Sequence, residues 1–101
     1  MNLKNLIDRL KTENQNKIIP VGFNNPHSHR GDYSQLAFER AENITIGQML
    51  ECAESSLGKT FEGYKGGEFL MSEYTDCYIA EYGSCGEEIS SLLLDYMTGV
   101  V

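Results

Sequence analysis

Apolar residues at the start of the chain recur at the spacing of one helical face. Leu3, Leu6, Ile7 and Leu10 stand at i, i+3, i+4 and i+7, with Lys4, Asp8, Arg9 and Lys11 on the other sides, which is the pattern of an amphipathic helix. The pattern fades near Asn14 to Asn16. Lys17 to Phe23 then reads Lys-Ile-Ile-Pro-Val-Gly-Phe, a short β-branched run. Its Pro20 has no N–H to give to a ladder and so belongs on a sheet edge or at a bulge. Asn24, Asn25 and Pro26 are expected to end this strand. Gln35 to Arg40 sets Leu36 and Phe38 against Gln35, Ala37 and Glu39, the period of two that marks a half-buried strand.

Thr45 with Gln48 makes a capping box for a second helix. Ile46, Met49, Leu50, Ala53 and Leu57 form its buried face, and Gly58 stops it. From Lys59 to Tyr82 the chain is β-like and rich in aromatics. Phe61, Glu68 to Ser72 and Asp76 to Tyr82 fit two or three strands, with paired glycines and Ser72 to Thr75 as connections. Ser84 with Glu87 matches a second capping box, and Ile89, Leu92, Leu93, Tyr96 and Met97 continue a third helix that Gly99 ends. Repeats, linkers and low-complexity tracts are absent from the sequence. The expectation is one domain over residues 1–101, of α+β class, with a small mainly antiparallel sheet of about four strands and three helices.

Length and charge narrow the partners. A chain of 101 residues has room for one core with little margin, so a homo-oligomer is expected to stabilise it. The net charge is −7, and five of the eight basic residues (Lys4, Arg9, Lys11, Lys17, Arg30) fall in the first thirty. The remainder is strongly acidic and carries no basic stripe, which excludes binding to extended nucleic acid. An anionic ligand must then be small and met by a few placed cations, because the wider field repels a polyanion. Cys52, Cys77 and Cys85 are odd in number and form no C-x-x-C pair, so reduced thiols and a cytoplasmic location are expected. No apolar run has the length of a signal peptide core or a membrane span. Asn43-Ile44-Thr45 and Arg30-Gly31-Asp32 match a glycosylation sequon and an integrin tripeptide, neither of which has meaning inside a cell.

The chemistry concentrates in Pro26 to Tyr33, which reads Pro-His-Ser-His-Arg-Gly-Asp-Tyr and is expected to be a loop between two buried strands. His27 and His29 point the same way on an extended chain, as two metal ligands would, but no third histidine completes a site. The bland alternative has both rings hydrogen-bonded to backbone. Arg30 is the side chain best matched to bidentate phosphate recognition, and Gly31 and Tyr33 add close backbone approach and a ring; its alternative is a surface ion pair. Tyr64, Lys65, Gly66 and Gly67 repeat the same ingredients, against the alternative of an ordinary turn with a solvated lysine. Gly58-Lys59-Thr60 resembles the end of a phosphate-binding loop, but Ala53 stands where its first glycine belongs and the triplet closes a helix. A histidine base, or Cys77 or Cys85 as nucleophile, would suit an enzyme, yet no spacing selects a reaction class. No cofactor is expected.

The segments Pro26 to Tyr33, Gly63 to Glu68 and Tyr74 to Gly83 together resemble a recurring type of small phage-encoded protein. In size, acidity and single polar site the chain is similar to phage anti-defence sponges of the anti-Thoeris and anti-CBASS kind. Those proteins bind cyclic-nucleotide or cyclic ADP-ribose immune signals. The resemblance implies an oligomeric binding protein for a small nucleotide-like ligand, by analogy and without a residue-by-residue transfer; the residues themselves make His27, His29, Arg30, Tyr33, Tyr64, Lys65, Gly66 and Gly67 its expected contacts. An enzyme that degrades the same ligand, or an acidic inhibitor docking on a host protein, are the alternatives.

Overall fold

A computed structural model describes residues 1–29, 35–62, 67–80 and 86–99. Among these, the order is α1 (Leu3–Lys11), β1 (Ile18–Ser28), β2 (Leu36–Thr45), α2 (Ile46–Ser56), β3 (Thr60–Glu62), β4 (Glu68–Leu70), β5 (Cys77–Ile79), β6 (Glu87–Glu88) and α3 (Ser91–Thr98). The fold is α+β, with three helices, a four-stranded sheet in the order β1-β2-β5-β6 and a separate β3-β4 hairpin. The four-stranded sheet is antiparallel except at β2-β5, which run parallel. A parallel pair needs a long crossover, and α2 with the β3-β4 hairpin supplies it. No helix among the described residues is long and apolar enough to cross a membrane.

Helix α1 follows its sequence pattern. Asn2 caps it by accepting from the Asn5 N–H at 2.9 Å, and Leu3, Leu6, Ile7 and Leu10 are all buried. The opposite side ties α1 to both other helices: Arg9 Nη2 meets Asp95 of α3 at 2.7 Å, and Lys11 lies 3.8 Å from Glu54 of α2. Helix α2 opens on the full Thr45–Gln48 capping box and is followed by Gly58 at φ +77°. Helix α3 ends on left-handed Gly99, and the Lys17 ammonium donates to the Thr98 carbonyl, a cation at the negative end of the helix dipole. The Met1 carbonyl accepts from the Cys77 N–H at 3.0 Å, and its ammonium meets Glu88 Oε2 at 2.9 Å.

Three boundaries differ from the sequence pattern. Strand β1 does not stop at Asn24-Asn25-Pro26. Its pairing slips by one residue between Asn24 and Pro26, because Asn25 adopts φ 48° and bulges out of the ladder, as Asn can at low cost. Pro26, His27 and Ser28 are therefore strand residues, and only the chain beyond them connects to β2. Strand β2 continues past Arg40 to Thr45, so the turn into α2 is immediate. The third difference is at α3. Glu87 and Glu88 are paired with Ile79 and Tyr78 as β6, and it is Ser90 that caps the helix by accepting from the Leu93 N–H at 3.1 Å. Ser84 itself lies outside the described residues, as does the expected continuation of the Asp76 strand beyond Ala80.

Pro20 sits on β1, an edge strand, where its missing donor is harmless. Gly22 permits close packing beneath it, since a Cβ there would stand 2.5 Å from both Ile44 Cγ2 and Met49 Sδ. Gly86 is more constrained: its φ is +57°, and a Cβ would fall on the Ile79 carbonyl oxygen and on Ala80. Gly58, also left-handed, has nothing within 4 Å of that position. Gly58→Ala is expected to cost about 1–2 kcal/mol from the backbone conformation alone, and Gly86→Ala clearly more, on the order of 3–4 kcal/mol. Urea denaturation of the two variants compares them, and equal midpoints would contradict the close approach of Gly86 to β5.

Candidate functional site

The bulge at Asn25 decides where the histidines go. After it, His27 pairs with Ala37, and Ala37 pairs on its other side with Tyr78 of β5. Register partners present their side chains on one face, so His27, Ala37 and Tyr78 line up across three strands. Ala37 is small and fully buried, and the His27 ring extends over it to place Nε2 3.0 Å from the Ala80 carbonyl oxygen. Its Nδ1 lies 3.0 Å from the Ser28 carbonyl oxygen. Both ring nitrogens thus face acceptors, and a neutral imidazole donates to only one of them at a time. This is the backbone-bonded alternative for His27, and it leaves neither nitrogen turned toward a metal or a substrate proton.

His29 is 5 % exposed and its ring stacks on Tyr78, with centroids 4.0 Å apart and planes inclined by 13°. Its backbone N–H donates to the Gln35 carbonyl at 2.9 Å. The segment carrying Arg30 and Tyr33 is therefore flanked by two residues bonded to each other, His29 and Gln35, with a stacked aromatic pair at one of them. Arg30, Tyr33, Tyr64, Lys65 and Gly66 lie outside the described residues, and so does any meeting of the two glycine-containing segments. Gly67 is exposed next to β4, where a Cβ would approach the Phe69 ring to 3.3 Å. Lys59, just before β3 at the other end of the hairpin, holds its ammonium 5.4 Å from the Phe61 ring centroid, a cation–π contact. Among the described residues no group of three or more His, Cys, Asp or Glu side chains could hold a metal ion.

Cys77 does not suit a nucleophile. It is fully buried, its thiol faces the Thr75 carbonyl at 3.7 Å, and burial pushes its pKa up to about 12. The thiol form dominates throughout the neutral range, and the thiolate is the reactive species. Cys52 is half-buried, and burial raises its pKa as well. Cys85 lies outside the described residues, and α3 begins at Ser91 rather than beside it, which removes the helix terminus expected to activate it.

Sequence reasoning missed a cleft elsewhere. A groove of about 450 Å³ runs across the sheet against α3, lined by Pro20, Val21, Gly22, Arg40, Ile79, Glu87, Leu93, Tyr96 and Met97. Among the described residues, Arg40 and Glu87 are its only charged linings, and neither forms an ion pair with another described residue. A signal for Arg40 existed, because it follows Leu36 and Phe38 at the same parity and so carries a charge onto their face of β2. Glu87 was hidden by its apparent role in a capping box. No family model, curated protein or solved structure matches this chain.

The raised Cys77 thiol gives a pH dependence. Above the ordinary value of 9.0 the unfolded chain loses this proton while the folded chain keeps it, so stability falls with rising pH until the folded value near 12. The limiting slope is about 1.4 kcal/mol per pH unit. Denaturation curves of the wild type and Cys77→Ala across that window are expected to converge as pH rises. Thiol labelling of the folded protein at mildly alkaline pH, read by peptide mapping, is expected to spare Cys77, and prompt labelling there would contradict its burial.

Proposed function

We propose that this chain binds and sequesters a small phosphate-bearing nucleotide signal, of the cyclic-nucleotide or cyclic ADP-ribose class, as a phage-type protein that blocks host immunity. The observation that carries this reading is the stacked His29–Tyr78 pair at the root of the segment bearing Arg30 and Tyr33. A buried His29 stacked on a half-buried Tyr78 gives a rigid neighbour for a ligand base, and a guanidinium on the adjoining segment supplies the fork that a phosphate accepts. His27, held over Ala37 against the Ala80 carbonyl, keeps the β1 and β5 sides of this face together. The charge of −7 supports a ligand of few charges over a nucleic acid. Tyr64, Lys65, Gly66 and Gly67 belong to the same reading as a second cation and ring.

The engaged nitrogens of His27 favour binding over cleavage, because a general base needs a lone pair aimed at the proton it takes. Titration calorimetry against cyclic mononucleotides, cyclic dinucleotides and cyclic ADP-ribose isomers tests the proposal. At least one is expected to bind, and Arg30→Ala is expected to weaken it about 10- to 100-fold, the worth of charge-assisted hydrogen bonds. Chromatography after long incubation is expected to return the ligand intact. Absence of binding across the panel, or full affinity in Arg30→Ala, would defeat the reading.

A further inference from the structure

Helix α3 is apolar on nearly every side, yet it is only partly covered. Leu94 is fully buried, whereas Leu92 is 71 % and Tyr96 76 % exposed. These two stand four residues apart and so share one outer face. Beside them runs the groove described above, and along the β1 edge Ile18 is 62 % and Val21 39 % exposed. An apolar surface of this extent marks an interaction site. Leu92, which shares the outer face of Tyr96, carries it past the residues that line the groove.

The charges identify the occupant. Arg40 and Glu87 lie on the same face, because Ile79 pairs with Glu87 on one side and with Phe38, two residues before Arg40, on the other. Strand β5 separates them, so two strand spacings of about 4.8 Å set their lateral distance near 10 Å. Among the described residues neither pairs with another, and a face with a cation and an anion on either side of apolar Ile79 is complementary to itself. A two-fold axis through its middle sets each Arg40 against the other copy's Glu87, satisfying both pairs in one operation. Tyr96, projecting at the rim, supplies the convex ring that the facing groove lacks. On the same face Glu42 stands opposite Val21, and the Asp95 carboxylate of α3 is paired with Arg9.

We infer that this face of α3 and the sheet is a homodimer interface, with a second copy of the chain as its occupant. The inference goes beyond the ligand reading and does not depend on it. Sedimentation equilibrium of the wild type is expected to show a dimer at micromolar concentration. Arg40→Glu opposes two carboxylates across each pair, and Glu87→Arg opposes two cations. Each is expected to raise the dissociation constant about 100-fold or more. Equal mixing of the two single variants restores both pairs and is expected to give a heterodimer within about tenfold of wild-type affinity. Tyr96→Ala is expected to weaken the dimer as well, with an unchanged circular dichroism spectrum. A monomeric wild type, single variants that dimerise as the wild type does, or a mixture no tighter than its components would each overturn the assignment. The mixing arm guards against misfolding, since two misfolded chains would not recover a dimer.

Discussion

The pairing of β1 with β2, and the one residue by which it slips, governs what this protein presents to solvent. Up to Asn24 the partners keep one register, and from Pro26 onward they keep another, with Asn25 left over between them. Side chains alternate faces along a strand, so an extra residue moves every later side chain to the opposite face. Without it, His27 would stand opposite Leu36, a fully buried residue, and imidazole would enter the hydrophobic core. With it, His27 stands opposite Ala37 and reaches across to β5. Asn25 also donates from its side chain to Glu39 at 3.2 Å, a bond that holds the bulge against the strand it leaves.

The core behind this ladder is closed by short-range consistency. Leu3, Leu6, Ile7 and Leu10 of α1, Met49 and Ala53 of α2, and Leu94 and Met97 of α3 join Phe23 and Phe38 in one cluster, with those two rings 4.6 Å apart. Helix α1 is the common neighbour, bonded through Arg9 and Lys11 to the other two. Much of the basic charge near the amino terminus is thus spent within the fold. Lys4 pairs with Asp8, Arg9 with Asp95 and Glu13, and Lys17 with the end of α3. Among the described residues, acidic side chains outside these pairs, such as Glu42, Glu51, Glu62 and Glu68, face solvent. Arg40, by contrast, forms no ion pair among the described residues.

Some of this was legible before any coordinates. The helical period of α1, the Thr45–Gln48 box, the stop signals at Gly58 and Gly99 and the edge position of Pro20 are local statements, and each depends on residues within a few positions of one another. The errors came where local signals competed. Asn-Asn-Pro reads as a stop, but Asn also tolerates the left-handed conformation that a bulge needs, and only the partner strand selects between the two. Ser84 with Glu87 reads as a cap, but the Ile79 and Tyr78 ladder claims Glu87 and Glu88, leaving Ser90 to cap the helix.

The sequence by itself determined the α+β class, the three helices, the Thr45–Gln48 cap, the acidic charge and the residue types available for binding, because periodicity, capping and charge are properties of neighbouring residues. Only the tertiary structure decided that β2 and β5 run parallel, that Tyr78 stacks on His29 while His27 turns to the Ala80 carbonyl, and that Arg40 and Glu87 share a groove with Tyr96. These pairings join residues from 40 to more than 50 positions apart. Their register is set by the fit of whole strands, and one left-handed asparagine is enough to change it.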